Sequence, residues 1–192
     1  MNYGCNGRRA VISGGTSGIG LAAAHTLLAD GAEVWLLART ERPQLLAELK
    51  ESYGEKVHFI KCDVANVTSC KAAAAQIKNA GSVDFLVNSA GIYREQSMEM
   101  LTENEFDEIF GVNVKGTVFL TQALLPYMAA GGAVVNVASD AGVNGNYGCA
   151  AYCASKGAVV AFPRALALDT APRLRVNCEL LTELHPDAVL CV

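Results

Sequence analysis

A doubly wound α/β fold is what this sequence predicts: a parallel sheet in the order 3-2-1-4-5-6, with helices on both faces. Three observations point there. Short β-rich runs alternate with longer helical ones along the 192 residues, the signature of successive βαβ units. A glycine-rich turn follows the first of those runs. The composition is 52% apolar and only 18% charged, as suits a sheet buried on both faces.

The strand candidates are residues 9–13, 33–38, 57–62, 83–88, 133–138 and 174–178. Helical patterns lie between them near 18–30, 42–53, 67–80, 103–129 and 150–170. Gly31, Gly54, Gly81 and the pair Gly131 and Gly132 fall where helices should stop. Thr102-Glu103-Asn104-Glu105 is a capping-box pattern that opens the fourth helix. Pro163 lies well inside the fifth, where it should cost roughly 3 kcal/mol unless the helix kinks. Six parallel strands joined by right-handed crossovers give the doubly wound order. With no repeat, low-complexity tract or linker, residues 1–192 read as a single domain.

The formal net charge of -4, without a basic run, argues against nucleic acid or an anionic membrane as partner. No apolar stretch reaches membrane-spanning length, and the first residues lack the apolar core of a signal peptide. Seven cysteines at irregular spacing, with no paired metal-ligand pattern, read as free thiols of a cytoplasmic protein without a metal.

The first strand runs into Ser13-Gly14-Gly15-Thr16-Ser17-Gly18-Ile19-Gly20 and an Ala-rich helix. Glycines at 14, 18 and 20 permit a tight turn, so that backbone N–H groups approach a pyrophosphate at the helix N-terminus. Ser17 and Ile19 belong to the same turn. The second strand ends Leu36-Leu37-Ala38-Arg39, without the acidic residue that would hold the ribose 2′-hydroxyl of NAD(H). Arg39 can meet a 2′-phosphate instead, which favours NADP(H), with NAD(H) as the alternative. Trp35, the only tryptophan, lies on this strand near the expected adenosine site.

Tyr152 and Lys156 are four residues apart at the start of a helix and so share a face. A free phenol is a poor acid–base group at neutral pH, and a nearby ammonium lowers its pKa. Tyr152 can then exchange a proton with a substrate oxygen while a hydride moves at carbon. Ser139 ends the preceding strand, at the sheet edge where such folds bind ligands, and can donate to a developing oxyanion. Asn113 shares a helix face with Phe106, Ile109 and Phe110, which predicts burial and a need for partners.

Taken together, these motifs resemble the short-chain dehydrogenase/reductase family, continuously from about residue 8 to residue 178. Gly14-x-x-x-Gly18-x-Gly20 resembles that family's phosphate turn. Asp63-Val64 resembles its adenine contact, and Asn88-Ser89-Ala90-Gly91 its Asn-Asn-Ala-Gly turn. Val112-Asn113-Val114-Lys115-Gly116 and Arg175-Val176-Asn177 match further landmarks. The resemblance implies a Rossmann-like domain. It implies an oxidoreductase moving a hydride between NADP(H) or NAD(H) and a secondary alcohol or ketone. It gives Tyr152 the acid–base role, Lys156 that of activator and ribose anchor, Ser139 that of carbonyl orientation, and Asn113 that of the proton relay. The cofactor contacts it implies are Gly14, Ser17, Gly18, Ile19, Gly20, Arg39, Asp63, Val64, Asn88, Ala90, Gly91, Tyr152 and Lys156. It also implies a homodimer or homotetramer.

The sequence departs from the family after Cys178, where a Pro-Gly loop, a substrate lid and a seventh strand are expected and none is recognisable. The alternative readings are therefore a shortened, non-catalytic nucleotide-binding or interaction protein, or a fragment of a longer enzyme. Residues 91–100 and 140–148 should line the substrate, and they carry no signature that names it.

Overall fold

The computed structural model describes residues 3–182. Its strands are β1 (Arg9–Ser13), β2 (Glu33–Ala38), β3 (Val57–Lys61), β4 (Val83–Asn88), β5 (Met128–Val137) and β6 (Arg175–Glu179). All pairs are parallel, in one sheet ordered β3-β2-β1-β4-β5-β6. The helices are α1 (Gly18–Ala29), α2 (Pro43–Tyr53), α3 (Val67–Lys78), α4 (Glu103–Phe110), α5 (Thr117–Leu124), α6 (Ala141–Asn144) and α7 (Ala150–Thr170).

Strand residues alternate between two cores, as a pleat requires. Ala10, Ile12, Val34 and Leu36 pack with Ala24 and Leu28 of α1 and Leu49 of α2. Val11, Trp35 and Leu37 point the other way, into a core with Ala73 and Ile77 of α3 and Leu120 and Leu124 of α5. The register sets Ser13 opposite Leu37 and Asn88, and Asn88 opposite Asn136. The carboxyl ends of the central strands therefore meet at one edge, and the order reverses between β1 and β4.

Two expectations about elements need correction. The helix expected over 103–129 is α4, a π-helical segment (Gly111–Gly116), α5 and a short 3₁₀ turn (Leu125–Tyr127). Pro126 ends it early, because its ring cannot sit in a continuing helix. Gly131 and Gly132 are not helix stops: they lie inside β5, where its register against β4 shifts. The capping box is present, with Thr102 Oγ1 accepting from the Glu105 amide and Glu105 accepting from the Thr102 amide.

Pro163 lies inside α7, which runs from Ala150 to Thr170. It leaves the Val159 carbonyl without its usual amide donor. The Cys178 thiol, on β6, donates to that carbonyl at 3.7 Å. Among the described residues, no helix is long and apolar enough to cross a membrane, and no three His, Cys, Asp or Glu side chains form a metal cluster.

Candidate active site

The β1–α1 turn is built for close backbone approach. Gly14 has a φ of 68°, and a Cβ there would lie 3.0 Å from the Ala90 Cα. A Cβ on Gly20 would stand 2.5 Å from the Gly14 carbonyl oxygen. The turn is thereby pressed against the start of the segment that follows β4. Ser13 locks the two together: its buried hydroxyl accepts from the Ser89 and Ala90 amides, each at 3.1 Å. Ser17 is the N-cap of α1 yet makes no side-chain capping bond.

A groove of about 540 Å³ opens above this turn. Gly14, Ser17, Gly18 and Ile19 form its floor side, and Arg39, Asp63, Val64, Ala90 and Gly91 complete its rim. Gly20 packs beneath the turn instead. Asp63 is fixed by accepting from the Ala65 amide at 3.0 Å, and its own amide donates to Ser69 Oγ at 3.0 Å.

Two groups here escape sequence reasoning. One is Ser13, whose clamp role depends on a neighbour 76 residues away. The other is Arg42, which lines the same groove and donates from Nη1 to the Thr16 carbonyl at 2.8 Å. Arg42 thereby ties the start of α2 to the phosphate turn and sets a second guanidinium on Arg39's side of the groove. The signal for it was present in the sequence, as a second arginine three residues beyond the first.

Asn88 is placed differently from expectation. Its side chain lies inside the sheet layer, where Nδ2 donates to Thr121 Oγ1 and to Asn136 Oδ1, both at 2.9 Å. Its Oδ1 is buried without a hydrogen-bond partner. The residue thus braces β4 against β5 and α5, and does not line the groove. Trp35 is also interior, stacked on His58 at 4.2 Å and three residues before Ala38, roughly 10 Å along the strand.

A second compartment of about 460 Å³ shares Ile19, Ser89, Gly91 and Ile92 with the first, so the two form one cleft. Ser139, Tyr152, Lys156, Tyr93 and Thr182 line it. Ser139 sits just past β5, where its Oγ donates to Asp140 at 3.2 Å and accepts from the Ala141 amide at 3.2 Å. It shares this compartment with the Tyr152 phenol and acts to lower that phenol's pKa. Lys156 is 7% exposed and donates from Nζ to the Val137 carbonyl at 2.9 Å. Its Nζ lies 5.8 Å from the centre of the Tyr152 ring.

Electrostatics here differ from the sequence expectation. Burial pushes the Tyr152 phenol up, and the Ser139 hydrogen bond opposes it. Burial pushes Lys156 down, to about 8. The same loss of water disfavours the charged form of both groups. One of the ammonium's three N–H donors goes to the backbone, and the charge stands near the phenol ring without bonding its oxygen.

Asn113 occupies the π-helical segment, a wide turn of the kind often found at functional sites. Its Oδ1 accepts from the Ile92 amide at 2.8 Å. Its Nδ2 donates to the Ile92 carbonyl and to Ser155 Oγ, both at 3.0 Å. Ser155 Oγ in turn donates to the Tyr152 carbonyl at 2.7 Å. A Cβ on Gly91 would sit 3.4 Å from Asn113 Oδ1 and 3.5 Å from Lys156 Nζ, so both groups pack against Gly91. Asn113 and Ile109 are buried as expected, but Phe106 is 39% exposed. The extra residue in the π turn breaks the simple helical face.

The profile of the short chain dehydrogenase family matches residues 8–184. The chain is 36% identical to a cyclopentanol dehydrogenase of Comamonas sp., over 96% of this chain and 74% of that protein. It is also 36% identical to a cis-2,3-dihydrobiphenyl-2,3-diol dehydrogenase of Paraburkholderia xenovorans, over 89% of this chain and 64% of that one. L-sorbose reductase of Gluconobacter frateurii, solved with NADPH and L-sorbose, superposes with a TM-score of 0.88 at 31% identity, over 93% of this chain and 70% of that one. On sequence, fold and relatives alike, the chain belongs to the short-chain dehydrogenase family of oxidoreductases.

Proposed function

We propose that this chain transfers a hydride between NADP(H) and a secondary alcohol or ketone, with Tyr152, Lys156, Ser139 and Asn113 as its working residues. The observation that carries this reading is the single cleft. A glycine turn fit for a pyrophosphate lies at one end, and Ser139, Tyr152 and buried Lys156 lie together at the other. The residues fit a dinucleotide. Gly14 and Gly20 let the turn pack tightly against the Ala90 backbone and on itself, and the Ser17 hydroxyl is not consumed in capping. When bound, the nicotinamide supplies or accepts the hydride.

The protein's own part is proton management and orientation. Ser139 Oγ and the Tyr152 hydroxyl together hold the substrate oxygen. Tyr152 gives that oxygen a proton during reduction and takes one during oxidation. With a cationic nicotinamide in the cleft, the Tyr152 phenol, which burial holds up, would feel a positive charge that lowers its pKa toward the working range. Lys156 holds a ribose hydroxyl and supports the phenolate. Asn113 fixes the Ile92 backbone and, through Ser155, the first turn of α7.

Arg39 and Arg42 form a cationic rim suited to a 2′-phosphate, and Ala38 offers no carboxylate to repel it. We read NADP(H) as the preferred cofactor on that basis. Self-association as a dimer or tetramer would cover apolar side chains such as Phe106 on α4 and Leu168 on α7, which is 83% exposed.

Titration with NADPH and NADH, followed by energy transfer from Trp35, tests the site. NADPH should bind at least tenfold tighter, a difference of about 1.4 kcal/mol. Ala38→Asp combined with Arg39→Leu should reverse the order, and equal affinities in the unaltered chain would remove the arginine argument. Tyr152→Phe should keep NADPH affinity while lowering kcat by about 10²–10⁴-fold in a screen of secondary alcohols and ketones. Turnover that survives this change would remove Tyr152 from the chemistry.

A further inference from the structure

Hydride transfer leaves two neighbouring thiols unused. Cys149 is the N-cap of α7 and is 2% exposed, while Cys153 lies one turn further on and is partly exposed. Their sulfurs are 3.7 Å apart. Both face the Asn146 carbonyl, at 3.5 Å from Cys149 Sγ and 3.9 Å from Cys153 Sγ. Tyr152 stands between them in sequence, on the same turn of helix.

The geometry permits a bond. Four residues of helix rise about 6 Å, inside the roughly 4.4–6.8 Å range of Cα separations that disulfides span. The sulfurs need only close to about 2.05 Å. Cys149 has φ -145° and ψ 43°, outside the helical region, so it can adjust without unwinding α7. Burial, and then the hydrogen bond with Cys153, push the Cys149 thiol up, with a Tyr93 hydrogen bond opposing. The more accessible Cys153 therefore meets an oxidant first, and Cys149 resolves it.

We propose that Cys149 and Cys153 form an oxidation site, in which a hydroperoxide converts the pair to a disulfide within the first turn of α7 and thereby disturbs Tyr152. In the first step the Cys153 thiol takes the terminal oxygen of the hydroperoxide, giving a sulfenic acid and an alcohol, or water from hydrogen peroxide. In the second, Cys149 sulfur attacks Cys153 sulfur. Hydroxide leaves and takes the Cys149 proton as water. The two thiols lose two electrons in all, and the peroxide O–O bond accepts them.

The disturbance reaches Tyr152 by two routes. One is the helix turn that all three residues share. The other is Tyr93, which hydrogen-bonds the Cys149 thiol and whose ring meets that of Tyr152 edge-on at 4.9 Å. Cys62 and Cys70 form another close pair, in which the Cys70 hydrogen bond draws Cys62 down to about 7. Both are buried, at 1% and 0% exposure, which makes them the less accessible target.

Graded hydrogen peroxide on the full chain, followed by alkylation and peptide mapping, tests the site without any turnover assay. The expected result is a Cys149–Cys153 linkage, loss of two titratable thiols, reversal by dithiothreitol, and no linkage in Cys149→Ser or Cys153→Ser. Full alkylation of both residues after oxidant, or a link confined to Cys62–Cys70 or formed between chains, would overturn it. The effect on turnover rests on the hydride-transfer reading and is scored separately. Activity should fall about a hundredfold as the linkage forms, the cost of roughly 1 Å of misplacement, and Cys153→Ser should keep both its activity and its resistance. Complete linkage with undiminished turnover would sink the switch, whereas linkage in a chain that never turned over would count only against the hydride-transfer reading.

Discussion

Lys156 shows what burial costs a single charge. Its pKa is lowered from 10.5 to about 8, with desolvation as the main cause. The unfolded chain therefore binds more protons than the folded one between about pH 8 and 10.5, and stability rises with pH across that window. Below pH 8 the penalty is present in full, on the order of 3 kcal/mol. Lys156→Met should raise the unfolding temperature at pH 7, lose that advantage toward pH 10.5, and abolish turnover. Thermal melts across this range check it, and a gain that grows with pH would reverse the sign of the argument. At this scale the sequence was informative where chemistry is local. Tyr152, Lys156 and Ser139 announce themselves by spacing and strand position, and all line one compartment. The roles of Asn88 and Ser13 were not legible, because they depend on partners from other elements: Thr121 and Asn136, and Ser89 and Ala90.

The π-helical turn carries a comparable lesson for elements. Its last residue, Gly116, is buried against Val64, and a Cβ there would lie 2.8 Å from Val64 Cγ2 and 3.3 Å from the Val64 carbonyl oxygen. Val64 lines the cofactor groove, so the π turn that positions Asn113 also supports the groove wall. Gly116→Ala should cost about 1–3 kcal/mol in urea unfolding through overpacking, and should weaken NADPH binding as well. A variant that loses stability but binds NADPH unchanged would separate the two. No sequence period reports such a turn, since the apolar pattern on either side looks helical. The early start of β5 was hidden for a related reason. Ala129-Ala130-Gly131-Gly132 carries no β-branched residue, so it reads as a helix end although it lies inside β5, between the Met128 and Ala133 pairings with β4. Pro163 stays inside α7, and the Val159 carbonyl it orphans finds the Cys178 thiol, a partner only the folded chain supplies.

For the molecule as a whole, the order of the sheet was legible because few choices existed. Alternating elements and right-handed crossovers leave one common way to wind six parallel strands around a phosphate turn. Substrate identity was not legible, since the segments after β4 and β5 are shaped by each other. The Gln96 amide donates to the Gly148 carbonyl, and Ser139 answers to Tyr152. One interior feature reaches across several elements. The Asn177 carbonyl accepts from Asn136 Nδ2, Asn136 Oδ1 accepts from Asn88, Asn88 donates to Thr121, Thr121 donates to the Thr117 carbonyl, and Thr117 donates to the Asn113 carbonyl. This polar chain runs from β6, at the edge of the described sheet, to Asn113. An edge strand ordinarily frays, and its amides exchange with solvent through local opening. Opening β6 here would break the Asn136–Asn177 bond that ties the strand to this buried chain, so the strand should open only when the sheet does. Hydrogen–deuterium exchange of residues 175–179 should then match that of β4 in rate and denaturant dependence. Markedly faster exchange would mean that β6 opens independently of the core. The polar thread thus makes the outermost strand share the lifetime of the core.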